Sequence, residues 1–484
     1  MPAGESLRAP AVSRPKAGAA NKYSIDIIID SHFSSKVYTT GSSICGKAVI
    51  KPNKDVAFNH FDIVFTGIAA TRLDFVQQYP SHSFRPFLKL RMPIGRDDIP
   101  EDRVFKAGEV YSVPFNFVVP HQLTYGACTH NCESDCVRDH HLRLPPSVGF
   151  WGADDQAPEM AQVEYAVKAR AVVTQPGAPA TKVLEGHHML KVLPAFPEDA
   201  PLDITFRDER YTASKTKTIR KSLFSSKTGK ITATATQPGA LMLSPDGHRA
   251  TTSNARITVE YVPDSADTAP PKVTSVSSKI LATTYFGAAP LDHLPNLGAR
   301  TAYHSSPCLN YTTTTNLSTL PTDKLSWKQE KISSSRRDSG YSSSHLEVDL
   351  SAKKKPSSPV KHTTTIEVPF TIVNTIKKFF LPTFHSCLIS RTYALQLVLS
   401  VGASNTTMTL TVPVQIGVDG DLVPQDGELP SFETAMAQSE EEEANQYLRP
   451  RIFRNRSDQP QTNTLLPSYD ELRHRRRASA SAAA

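Results

Sequence analysis

The sequence predicts an all-β protein of two tandem β-sandwich domains, on three observations. Apolar residues recur with a period of two, helical spacing is nearly absent, and Pro and Gly turns separate the short apolar runs. Alternate residues of a strand face opposite sides of a sheet, so this period marks one buried and one solvated face. Tyr23, Ile25, Ile27 and Ile29 alternate with Ser24, Asp26 and Asp30, and Tyr111, Val113, Phe115, Phe117 and Val119 alternate around Ser112 and Asn116. The clearest strand is Val163, Tyr165, Val167, Ala169, Ala171 and Val173, with Gln162, Glu164, Lys168 and Arg170 on its other face. Gln175-Pro176-Gly177 reads as a turn, and the Pro-rich stretch from Leu193 to Pro201 reads as a hinge. Beyond it a second alternating set begins: Ile231 to Thr236, Ile257 to Tyr261, Ile366 to Ile372, Tyr393 to Val401 and Met408 to Val418. Short strands between Pro and Gly turns imply sandwiches.

The expected organisation is a disordered N-terminus over 1–21, a first domain over 22–193, a second over 201–418 and a disordered tail over 419–484. Residues 301–360 hold 21 Ser or Thr and the run Lys353 to Lys355. So polar a stretch buries too little apolar surface to offset its ordering entropy, and it is expected to be a disordered insertion. The 37 prolines exceed the roughly 5% usual share, and the 39% hydrophobic fraction lies below the roughly 45–50% of compact domains, which fits a chain that is partly loop and tail.

The formal charge of +7 arises from interspersed basic and acidic residues, which argues against nucleic acid as a partner. The residues from Met1 to Lys22 lack the apolar run of a secretory signal, so export is not expected. Pro382, His385 and Arg391 interrupt Phe379 to Val401, so no transmembrane segment is expected. Six cysteines are too few for a disulfide scaffold, which points to a reducing compartment, the cytoplasm. There is no Gly-rich phosphate loop, Gly-x-Ser-x-Gly elbow or His-Glu-x-x-His pair, so no catalytic residues and no cofactor are expected. A secreted sandwich enzyme or carbohydrate binder would need a signal, oxidised cysteines and clustered carboxylates or aromatics, and none is evident.

Three stretches, Val113 to Pro120, Val163 to Ala169, and Leu381 to Tyr393 with Val412 to Ile416, resemble the arrestin fold, in particular the α-arrestins or arrestin-related trafficking adaptors. The resemblance covers roughly residues 22–418. It implies two immunoglobulin-like sandwiches that engage cytoplasmic segments of membrane transporters or receptors, and a tail that recruits a WW-domain, HECT-type ubiquitin ligase. It further implies a non-enzymatic adaptor in the cytoplasm, recruited to plasma membrane or endosomes, that promotes ubiquitination and endocytosis or sorting. The alternative is an arrestin-fold scaffold in signalling or vesicle sorting that recruits no ligase.

Leu466-Pro467-Ser468-Tyr469 is similar to the family's Pro-Pro-x-Tyr ligand for WW domains, with leucine in place of the first proline. Proline presets the polyproline II backbone, so Leu466 keeps apolar contact and loses preorganisation, which lowers affinity. Leu429-Pro430-Ser431-Phe432 repeats the pattern without the tyrosine hydroxyl and reads as an auxiliary WW contact that raises effective concentration. Ser339 and Ser479 each follow an arginine pair, a basophilic-kinase context whose phosphate would attract phosphoserine-reading proteins.

Cys128, Cys132 and Cys136, followed by His140 and His141, offer thiolate and imidazole ligands. Their even spacing does not match a zinc knuckle or ribbon, so the expectation is reduced thiols in a strand-to-strand loop and no metal. Zinc on Cys128, Cys132, Cys136 and His140 is the lesser alternative.

Overall fold

Alternation becomes architecture where the apolar face of one sheet is covered by another. The computed structural model describes residues 25–73, 81–174, 180–205, 208, 210–220, 226–265, 267–295, 308–322, 325–331, 360–402 and 406–420. The first half supplies β1 (Ile25–Ile29), β2 (Val37–Tyr38), β3 (Ser43–Ile50), β4 (Val56–Ala57), β5 (His60–Leu73), β6 (Ser81–Arg91), β7 (Val104–Phe105), β8 (Tyr111–Val118), α1 (Asp135–Leu142), β9 (Ala161–Val173) and β10 (Thr181–Val192). The second half supplies β11 (Ser214–Arg220), β12 (Lys227–Ala235), β13 (Leu241–Leu243), β14 (Ser253–Pro263), β15 (Val273–Phe286), β16 (Leu309–Pro321), β17 (Lys328–Lys331), β18 (Val360–Phe370), β19 (Phe384–His385), β20 (Ile389–Val401), β21 (Thr406–Val414) and β22 (Ile416–Val418).

In the first half, a three-stranded sheet ordered β1-β3-β8 faces a five-stranded sheet ordered β2-β10-β9-β5-β6. Antiparallel registry sets Phe65 of β5 opposite Val167 of β9, and Phe65 reaches across to Phe117 of β8 with ring centroids 6.0 Å apart. Val163, Tyr165, Val167, Ala169 and Ala171 are all fully buried, so the face expected to be apolar forms the core. The opposite face is solvated, with Lys168 against Glu164 at 3.6 Å and Arg170 against Asp62 at 3.2 Å. Tyr165 is buried whole and donates its hydroxyl hydrogen bond to Pro145 O at 2.7 Å, so its one polar atom is satisfied.

In the second half, a sheet ordered β11-β12-β14-β18-β17 packs on one ordered β16-β15-β20-β19, with β21 also paired to β20. Ile231, Ile257, Val259, Leu395, Leu397 and Leu410 fill the space between them. The short parallel pair β13-β22 closes one end.

Two segments depart from the sequence expectation. Within the insertion at 301–360, β16 and β17 are ordered strands, whereas residues 301–307, 323–324 and 332–359 lie outside the described residues. Apolar burial is not what orders β16, which is largely exposed. It is a ladder on β15, reinforced by hydroxyl pairs such as Ser278 with Ser318 at 2.9 Å and Thr283 with Thr312 at 3.0 Å. A run of β-branched threonines suits a strand that hydrogen-bonds along one edge. The second departure is α1, inside the stretch expected to be a plain loop. Ser134 is its extended N-cap residue, Asp135 lies in its first turn and His140 and His141 in its last. Eight residues are too few for helical periodicity to stand out from the strands around them.

Gly186 of β10 sits where the two sheets of the first sandwich meet: a Cβ there would lie 2.0 Å from Ile25 O of β1. Backbone cannot yield as a flexible side chain does. Gly186→Ala is therefore expected to lower stability by about 2–3 kcal/mol or more, read as a drop in the denaturant midpoint at unchanged m-value.

Candidate functional site

The two sandwiches meet along a seam built from both halves. Trp151 stacks on Phe379 with centroids 4.1 Å apart. Main-chain bonds join Asp154 to Lys377 and Phe379, and Thr71 Oγ1 donates to Gly287 O at 2.7 Å. Arg143 holds Asp199 through two bonds of 2.8 and 3.1 Å, and the Gln415 amide exchanges hydrogen bonds with the Asp199 main chain.

At the centre lies Arg391 of β20, with 0% of its surface exposed. Its Nε donates to Thr284 Oγ1 at 2.9 Å, and one terminal nitrogen donates to Asp155 O at 2.9 Å and the Tyr393 hydroxyl at 3.3 Å. Asp155 comes from the loop before β9, so its carbonyl ties this cation of the second sandwich to the first, while the other terminal nitrogen of Arg391 is buried with no hydrogen-bond partner among the described residues. Burial pushes the Asp155 carboxyl up from its ordinary value, while hydrogen bonds from Gly149 and Ala157 and the Arg391 charge pull it back. Gln156 extends the network to Thr284 and Thr313. Sequence reasoning quoted the Leu381 to Tyr393 stretch without assigning Arg391 a place. The signal was available, because Arg391 is in phase with Tyr393, Leu395 and Leu397 on the buried face of its strand.

A Cys and His cluster forms a second feature of the seam. Cys128, His130, Cys132 and His141 bring their ligand atoms within 4.8 Å of one another. Cys128 Sγ lies 3.7 Å from Cys132 Sγ, from His141 Nδ1 and from His130 Nδ1, and Cys132 Sγ lies 3.9 Å from His141 Nδ1 and 3.6 Å from His130 Nε2. His130 Nε2 is also 3.1 Å from Leu291 O, and the Glu133 amide donates to Asp292 O at 2.8 Å, so the loop rests on the second sandwich. Burial pushes the Cys128 thiol up, the Cys132 thiol up to about 11 and the His141 imidazole down to about 3.

This differs from the set of Cys128, Cys132, Cys136 and His140 read from the sequence. Cys136 is exposed, and His140 turns away to set its ring edge-on to His385, 5.3 Å between centroids. Successive residues on a helix point about 100° apart, so α1 sends His141 inward and its neighbour elsewhere. His140, His385, Arg143 and Asp199 line a cleft of roughly 430 Å³ beside the seam. The Leu466 to Tyr469 and Leu429 to Phe432 segments, Ser339 and Ser479 lie outside the described residues.

Two expectations test the seam. Arg391→Ala leaves Asp155 and the Thr284 hydroxyl without their buried partner and should destabilise the chain by about 3 kcal/mol or more, measured by denaturant unfolding. His385 is buried, and desolvation holds its imidazole well below the ordinary 6.5. The unfolded chain therefore takes up a proton that the folded chain refuses, so stability is full above pH 6.5 and falls as pH drops below it. The limiting slope is about 1.4 kcal/mol per pH unit for one such group. His385→Phe should flatten the pH dependence of unfolding below pH 6.5 relative to the unmodified chain.

Among the described residues no helix is long and apolar enough to cross a membrane. Residues 302–418 match the family model described as Bul1 C terminus, a stretch from just before β16 through β22. No curated protein matches the chain significantly. With its two successive all-β sandwiches and this match in the second of them, the chain is similar to arrestin-like trafficking adaptors.

Proposed function

We propose that the chain is a non-catalytic adaptor that links membrane-protein cargo to a WW-domain, HECT-type ubiquitin ligase and so promotes cargo ubiquitination and endocytosis or sorting. The observation that carries this reading is the Bul1 C terminus match over residues 302–418, since that family is one of adaptors. The architecture supports it in kind. Two sandwiches expose broad polar faces and open strand edges, and an extended cytoplasmic segment of a transporter or receptor can add to such an edge. Among the described residues β6 and β16 are edge strands of their sheets. In this reading the chain acts in the cytoplasm and is drawn to plasma membrane or endosomes by its cargo.

Ligase recruitment is assigned to Leu466-Pro467-Ser468-Tyr469, with Leu429-Pro430-Ser431-Phe432 as the auxiliary contact, because a tyrosine two residues beyond a proline fills the neighbouring WW pocket. Phosphorylation at Ser339 and Ser479 would add a phosphoserine reader as a further partner. Basic residues on a polar sheet face, such as Lys168 and Arg170, could meet acidic cargo segments, but here they are already paired with Glu164 and Asp62.

The test is affinity purification of the full chain and its Tyr469→Ala variant from cells, with quantitative identification of co-purifying proteins. Ligase recovery should fall at least about tenfold in the variant while membrane proteins are retained. Unchanged ligase recovery would overturn the assignment of the motif. Absence of any ligase from both samples would favour the scaffold reading.

A further inference from the structure

We propose that Cys128, His130, Cys132 and His141 form a structural zinc site that fastens the loop between β8 and β9 to the second sandwich. The first argument is metric. Zinc bound to sulfur at about 2.3 Å and to nitrogen at about 2.0 Å in a tetrahedron requires edges of about 3.8 Å between sulfurs and about 3.5 Å between sulfur and nitrogen. The cluster has its sulfurs 3.7 Å apart, Cys128 Sγ 3.7 Å from both His130 Nδ1 and His141 Nδ1, and Cys132 Sγ 3.9 Å from His141 Nδ1. A disulfide would need the sulfurs at about 2.04 Å, and both thiols are free.

The second argument is chemical. Two thiols and two imidazoles are the donor set that selects zinc over hard cations, which prefer carboxylate and carbonyl oxygen. Two thiolates also cancel the charge of a divalent ion, so the complex is neutral overall, the state that a site between buried Cys128 and His141 tolerates best. All four positions are filled by protein, which makes the site structural, with no open position for substrate.

The surroundings provide an outer shell. Leu291 O, from the second sandwich, lies within hydrogen-bond distance of His130 Nε2, the kind of contact that fixes the orientation of a ligating imidazole. Arg138 donates to Cys128 O at 3.2 Å and Arg85 to Ala127 O at 3.0 Å, holding the carbonyls at the start of the loop. One ion would thus bind three ligands of a turn and one of α1, in a loop that also touches residues 291 and 292 of the other half. This inference is independent of the adaptor reading.

The test uses the full chain purified under reducing conditions. Metal analysis should find about one zinc per chain, unchanged in Cys136→Ser and below about a tenth of that in Cys132→Ser and His130→Ala. Exchange with cobalt should give the intense visible bands of a tetrahedral ion together with thiolate charge transfer. This readout is made on the unmodified chain and holds even where a variant fails to fold. A chelator should lower the melting temperature by roughly 5 °C or more. An unmodified chain that holds no zinc and gives no tetrahedral cobalt spectrum would overturn the proposal. So would Cys136→Ser losing metal as completely as Cys132→Ser.

Discussion

A strand that is apolar on one face obliges something to cover that face, and everything else in this molecule follows from how that obligation is met twice. Each half builds two sheets whose alternating side chains close on each other. The solvated faces are then free to carry charge, as with Lys168 and Arg170. Burying apolar surface at roughly 25 cal/mol per Å² is the dominant favourable term, but it is non-directional and does not say how one sandwich sits on the next.

That orientation falls to polar chemistry. Arg391, Asp155, Thr284 and Tyr393 meet inside the seam, where losing a buried hydrogen bond is costly, so the arrangement that makes these bonds is preferred over near alternatives that would break them. The Cys and His cluster lies on the same seam and joins the same two halves. The adaptor proposed for this chain would need surfaces held at a fixed spacing, and a seam of directional contacts meets that need.

Much of the fold was legible in the letters, because period two is a direct image of burial. Val163 to Ala171 and Tyr393 to Val401 bury the residues that their alternation marks. What escaped were elements whose stability is not written in apolar pattern. The threonine run of β16 is held by main-chain pairing to a distant strand, and α1 is too short to show its period. The cluster was half legible: Cys128 and Cys132 were recognised as ligand types, but the partners depended on a turn that brings His130 back and on the helical phase that separates His141 from His140. Arg391 could be read as an ion on an apolar face, although its acceptors, Thr284 and the Asp155 carbonyl, are remote in sequence.

The adaptor account stands or falls on whether the chain changes the ubiquitin carried by membrane proteins. The direct measurement is a proteome-wide comparison of ubiquitin remnants on cytoplasmic lysines in cells with the chain and in cells lacking it. The account predicts a defined subset of transporters or receptors whose remnants fall when the chain is removed and return when it is restored. An unchanged ubiquitin profile on every membrane protein, in cells where the chain is otherwise expressed, would contradict it.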